Sequence, residues 1–184
     1  MAESSKTLAQ RCQAIELLVV DVDGVLTEGG IVYAENGTEL KRFHVRDGTG
    51  LKIWRQLGKR AALITGRTSR LVERRAAELN LGPVVQGLSE KLPAYRHILT
   101  ETGFRPDQAC CIGDDLPDLP LLGNCGLAVA VADACPEVRA QAHYVTRARG
   151  GHGAVRETIE LLLHCQDEWR NVVARFRSQR LEES

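Results

Sequence analysis

Leu17-Leu18-Val19-Val20-Asp21-Val22-Asp23-Gly24 is the stretch whose reading decides the fold. Four apolar residues in a row are too few for a helix, and they read as a strand buried on both faces. The chain then turns polar at once, at Asp21. The same pattern recurs at 60–64 before Thr65-Gly66-Arg67 and at 109–112 before Gly113-Asp114-Asp115. Residues 84–85 and 127–131 add shorter apolar runs of strand type. Between them the spacing predicts helices. One covers 48–57 behind a cap at Asp47, and another covers 69–79 with Leu71, Val72, Ala76 and Leu79 on one face. A third runs from Lys91 to Thr102, a short one lies near 118–122, and a single long terminal helix covers 155–176. Strands alternating with helices imply a parallel sheet covered on both sides, so the fold class is α/β. Only residues 31–33 and 40–44 break the alternation. They flank Asn36-Gly37, a pair that predicts a hairpin with a two-residue turn.

The whole chain supports one such domain. Its 184 residues suit a single core, and 43% hydrophobic with 26% charged residues is ordinary globular composition. Lys plus Arg (24) equals Asp plus Glu (24), which excludes a bulk nucleic-acid binder or a membrane-surface protein. No apolar run approaches the ~18 residues of a membrane span. Residues 1–13 are polar and lack the apolar core of a secretory signal, so the expectation is a cytoplasmic protein. The six cysteines form no C-x-x-C pair or metal-finger spacing and read as reduced thiols.

In parallel α/β sheets, ligands bind at the carboxyl ends of the strands. Asp21, Asp23, Thr65, Asp114 and Asp115 therefore belong to one crevice, with Lys91 opening a helix beside it. Crowded carboxylates repel, and the hard cation Mg²⁺ offsets that charge while leaving positions for phosphate oxygens. Thr hydroxyl and Lys ammonium are natural donors to the remaining phosphate oxygens. A carboxylate at a metal-held phosphate can attack it, and a second one two residues on can serve as general acid and base. The set reads as phosphoryl transfer through a phospho-aspartate.

The motifs Asp21-Val22-Asp23-Gly24-Val25-Leu26-Thr27, Thr65-Gly66, Lys91 and Gly113-Asp114-Asp115 resemble those of the haloacid dehalogenase superfamily of phosphatases. Further blocks resemble the 3-deoxy-D-manno-octulosonate 8-phosphate phosphatases within it. These are Phe43-His44-Val45-Arg46-Asp47-Gly48, Ile64-Thr65-Gly66-Arg67, Gly113-Asp114-Asp115-Leu116 and Gly151-His152-Gly153-Ala154-Val155-Arg156-Glu157. The resemblance implies a three-layer Rossmann-like domain over 15–165 with no cap domain and an inserted β-hairpin. It leaves a polar segment at 1–14 and a helical extension and tail at 166–184. It implies Asp21 as nucleophile, Asp23 as general acid/base, and Thr65 and Lys91 as phosphoryl holders, with Gly66 and Asp115 in support. Mg²⁺ would be held by the Asp21 carboxylate, the Asp23 carbonyl and Asp114. Substrate contacts fall on Asp23, His44, Val45, Arg46, Asp47, Gly48, Lys52, Arg67, Arg75 and Lys91. The implied substrate is a phosphorylated sugar acid of lipopolysaccharide precursor synthesis, handled by a homotetramer whose neighbouring subunits close each site.

His44 stands where many such phosphatases have Asn, and His152 where they often carry Arg. The latter reads as a satisfied surface histidine. Arg67 and Arg75 can recognise a carboxylate bidentately. Related nine-carbon sugar-acid phosphatases can carry Glu directly after Thr-Gly, so by the resemblance Arg67 implies an eight-carbon sugar acid. A nine-carbon or general sugar phosphatase is the alternative within the same chemistry. A phospho-receiver domain, from another class, fails on order, because its phosphorylated Asp follows the acidic pair. The terminal segment repeats Val155, Ile159, Leu162, Trp169, Val173 and Phe176, with Gln166 the only interruption.

Overall fold

A computed structural model describes residues 6–178. Residues 1–5 of the polar N-terminal segment and 179–184 of the C-terminal tail lie outside the described part. The elements are α1 (Leu8–Gln13), β1 (Leu17–Val20), β2 (Val32–Tyr33), β3 (Glu39–Leu40), α2 (Val45–Gln56), β4 (Arg60–Ile64), α3 (Arg70–Leu79) and β5 (Val84–Val85). They continue with α4 (Lys91–Thr102), β6 (Ala109–Gly113), α5 (Leu119–Leu122), β7 (Leu127–Ala130), α6 (Pro136–Gln141), β8 (Tyr144–Val145), α7 (Ala154–Cys165) and α8 (Trp169–Ser178).

Six strands form one parallel sheet in the order β5-β4-β1-β6-β7-β8, and β1 has all four side chains fully buried. Each large apolar side chain so buried contributes about 1.5–3 kcal/mol relative to exposure, which is why the run Leu17–Val20 tolerates no polar residue. From β1 the chain builds outward to β4 and β5, then returns to lay β6 on β1's other side. The order reverses between β1 and β6, and the crevice outside that pair is where such sheets hold ligands. Among the described residues no helix is long and apolar enough to cross a membrane. All six cysteines are free thiols.

Several local expectations need correction. The hairpin turn has three residues, not two. Ala34 N–H donates to Thr38 O (2.9 Å), Gly37 N–H donates to Ala34 O (2.8 Å), and only Gly37, at φ +79°, is left-handed. The second arm is also shorter than 40–44: pairing ends at Leu40. His44 precedes α2, which begins at Val45 rather than at Gly48.

Asp47 does not cap its own helix. It is 1% exposed and accepts from the N–H groups of Gly153 (3.2 Å) and Arg156 (2.8 Å), so it caps α7, more than a hundred residues away. Burial pushes its pKa up, and the Arg156 N–H, His44 and the Gly153 N–H pull in the opposite direction. The long terminal helix is two. It breaks after Cys165, and Asp167 turns left-handed (φ +59°). Gln166, the one polar residue in the stripe, folds back so that its Nε2 donates to Cys12 O and Ile15 O, both at 2.9 Å. Those carbonyls lie in and just after α1, a helix inside the stretch read only as polar, with Cys12 as its buried residue.

Candidate active site

Asp21 follows β1 directly, so it is fixed at the carboxyl end of the most buried strand. The next residues form a wide turn in which Gly24 has φ +99° and lies under Asp114. A Cβ at Gly24 would stand 2.0 Å from Asp114 Oδ2, so a side chain there would be strained and would push the Asp114 carboxylate out of place. Thr65 follows β4, Asp114 follows β6, and Lys91 is the first residue of α4. One cleft of about 300 Å³ gathers Asp21, Asp23, Thr65, Gly66, Arg67, Lys91, Asp114 and Asp115. Ser89 and Asp118 also line it.

Asp118 escaped the sequence reading, although its spacing of four from Asp114 in Gly113-Asp114-Asp115-Leu116-Pro117-Asp118 was visible. Its Oδ2 accepts from the N–H groups of Asp114 (3.0 Å) and Asp115 (3.4 Å), and its Oδ1 accepts from Lys91 (2.6 Å). Both oxygens are thus engaged, and Asp118 shapes the loop that presents Asp114. Lys91 Nζ also donates to Asp21 Oδ1 at 2.6 Å.

Oxygens of Asp21, Asp114 and Asp118 lie within 4.8 Å of one another. One ammonium faces three carboxylates, which leaves two negative charges. Burial, then Asp118, pushes the Asp21 pKa well up against the pull of Lys91. Burial, then Asp118, likewise pushes Asp114 up to about 7. Burial opposes the charge on Lys91, but Asp21 and Asp118 outweigh it and hold its pKa up. The donors are all hard oxygens, and with all three carboxylates ionised the two negative charges that Lys91 leaves are what one divalent cation offsets. The set fits Mg²⁺.

Asp23 is engaged differently. Its Oδ1 accepts from Lys41, while its Oδ2 faces Thr65 Oγ1 at 3.5 Å and Arg67 Nε at 4.0 Å. Its side chain takes no part in the three-carboxylate group, so a metal contact from Asp23 would fall to its carbonyl, as the resemblance implies. Arg67 reaches the hairpin, donating from Nη2 to Tyr33 Oη (3.2 Å) and Glu39 Oε1 (3.1 Å), and its buried Nε has no hydrogen-bond partner.

The remaining expected substrate contacts are not on the walls of this cleft. Val45 is 77% exposed, Arg46 and Lys52 are exposed, and Asp47 is committed to α7. Gly48 is covered by Arg75, whose guanidinium stacks 5.7 Å from the Phe43 ring centroid and pairs with Glu78 at 3.3 Å. His44 lies against Gly153, with its Nδ1 unpartnered and 3.9 Å from Asp47 Oδ2. His152 is exposed, its Nδ1 2.8 Å from Gly150 O. The glycines before it serve packing: a Cβ at Gly150 would lie 1.7 Å from Gly24 O, so this loop clamps the turn that carries Asp23.

With that geometry in hand, known proteins give the family. A profile of haloacid dehalogenase-like hydrolases matches residues 83–157. The 3-deoxy-D-manno-octulosonate 8-phosphate phosphatase KdsC of Yersinia pestis is 47% identical over 86% of this chain and 85% of its own. The chain belongs to the 3-deoxy-D-manno-octulosonate 8-phosphate phosphatase family. KdsC of Escherichia coli strain K12 is 45% identical over 88% of this chain and 86% of its own. The phosphatase of Moraxella catarrhalis, solved with magnesium, phosphate and KDO, superposes with a TM-score of 0.89 at 41% identity, covering 91% of this chain and 97% of that one. As in other members of the phosphatase family, the chain is thus a haloacid dehalogenase-like phosphoric monoester hydrolase.

Proposed function

We propose that the chain hydrolyses 3-deoxy-D-manno-octulosonate 8-phosphate, with Mg²⁺ as cofactor, through a phospho-aspartate on Asp21. The observation that carries this reading is the knot of Asp21, Asp114 and Asp118 around Lys91 at the β1/β6 switch point, with Asp23 two residues beyond the nucleophile. Asp21, Asp114 and the Asp23 carbonyl would hold the metal, which supplies the positive charge that lets a phosphate dianion approach carboxylates. Thr65 and Lys91 donate to the oxygens of the transferring phosphoryl group. Asp23 protonates the departing sugar oxygen and then takes a proton from the water that hydrolyses the phospho-aspartate. Arg67 lines the cleft, and its guanidinium is the cation on that wall suited to the carboxylate of a sugar acid.

The test is a phosphate-release panel of eight- and nine-carbon sugar-acid 8- and 9-phosphates and neutral hexose phosphates. The eight-carbon ester should give the highest kcat/KM. A higher kcat/KM on a nine-carbon or neutral ester would overturn the substrate assignment.

The site also reads as shared within a homotetramer. The hairpin exposes Ile31, Val32, Tyr33 and Leu40 by 51–61%, an apolar face that a lone two-stranded element leaves in water. Meanwhile the exposed Val45, Arg46 and Lys52, with Arg75, stand off their own cleft, where they can serve a neighbour's. Asp21→Asn and Arg75→Ala should each be crippled alone, and co-expressed they should regain a fraction of wild-type activity in mixed assemblies. Activity no higher than the mean of the two parents, or an active monomer, would contradict sharing.

A further inference from the structure

Lys41 lies one residue past β3, and only 3% of its side chain is exposed. Lysine is almost never buried to this degree unless a carboxylate meets its ammonium. Here the partner in contact is Asp23 Oδ1, with Glu39 Oε1 next at 3.7 Å. Glu39 is itself held, accepting from Ser69 Oγ at 2.7 Å and from Arg67 at 3.1 Å. The hairpin arm is therefore anchored to the start of α3, and Lys41 is delivered from it to Asp23. Asp23 sits in an irregular turn beside Gly24, where backbone hydrogen bonding alone does little to fix its side chain.

We propose that Lys41 is the positioning residue of the acid/base carboxylate. By engaging Oδ1 it turns Oδ2 toward Thr65 and the phosphoester. The inference rests on the reading of Asp23 as acid/base. It gives the hairpin a second task beside offering an apolar face, since whatever steadies the hairpin steadies Asp23.

A double-mutant cycle tests it, using the full chain with Mg²⁺ and 3-deoxy-D-manno-octulosonate 8-phosphate. Lys41→Met should lower kcat by roughly ten- to a hundredfold, the scale of a ~1 Å misplacement, with little change in KM. Lys41→Arg should recover most of the loss. In an Asp23→Asn background, adding Lys41→Met should change kcat by less than about threefold, because the group it positions is gone. Equal losses in both backgrounds, a loss carried by KM, or no loss at all would overturn the role of Lys41. If Lys41→Met does not fold, Lys41→Gln carries the same cycle with the same outcomes. Wild-type kcat in Asp23→Asn alone would instead overturn the acid/base reading, so the two failures are distinct.

Discussion

Asp21→Asn should fold normally and show no measurable turnover on any phosphomonoester. The amide has nearly the shape of the carboxylate but is not a nucleophile toward phosphorus. Loss of the route through a phospho-aspartate should exceed the roughly 10²–10⁴-fold that a general acid or base contributes, because the attacking atom itself is removed. Stability should hold or rise. Asp21 is 4% exposed and crowded by Asp114 and Asp118, so the amide removes a desolvated charge, while Lys91 keeps Asp118. Phosphate esters should still bind through Thr65 and Lys91. The checks are steady-state kinetics, a thermal melt and ester binding on the purified variant. Full activity would sink the mechanism.

Removal of divalent ions should be as complete in its effect. Three carboxylates facing one ammonium repel a phosphate dianion, so chelator should stop turnover and Mg²⁺ should restore it. The same charge balance gives a pH signature in the metal-free protein. Burial and Asp118 raise Asp114 from 3.8 to about 7, so the folded state keeps a proton there that the unfolded state has released. The unfolded chain therefore binds fewer protons across that window, and stability falls as pH rises from about 4 to 7. Mg²⁺ binds the deprotonated carboxylates, so the rise in Tm that it causes should grow over the same range. Melts at pH 5 and pH 8, with and without Mg²⁺, check this. A metal-free Tm that rises toward pH 8, or turnover that persists without metal, would contradict it.

The parts of the fold legible in the sequence are those in which one short segment dictates its own environment. The bounds of β4, β5 and α4 follow from apolar runs and from the polar residues that interrupt them. The strand-end rule placed Asp21, Thr65 and Asp114 in one cleft because a parallel sheet aligns all its carboxyl ends. What was not legible depends on partners distant in sequence. Asp47 precedes a helical stretch and reads as its cap, yet its oxygens go to α7, a pairing that no local pattern encodes. Gln166 interrupts an apolar stripe by one residue, and only the carbonyls of Cys12 and Ile15 make that interruption a break in the helix. Asn36-Gly37 marks the turn correctly but not its length, because Asn36 stays out of the left-handed region that a two-residue turn of this type demands.

The site divides the same way. The residues that end strands were readable, whereas the residues that hold them were not. Asp118 and Lys41 look like surface charges in the sequence. They are buried because Lys91, and the turn carrying Asp23, bring opposite charges to them from other elements. No local pattern marks Gly150 either: its need to be glycine comes from the carbonyl of Gly24, far earlier in the chain.

The central claim is that Asp21 takes the phosphoryl group, and a trapped acyl phosphate tests it most directly. The enzyme should be quenched during turnover of 3-deoxy-D-manno-octulosonate 8-phosphate with Mg²⁺. Borohydride then reduces any aspartyl phosphate to the alcohol, and peptide mass mapping locates it. The account predicts the reduced residue at position 21 and at no other carboxylate. Conversion at Asp23, Asp114 or Asp118 with Asp21 untouched would contradict it.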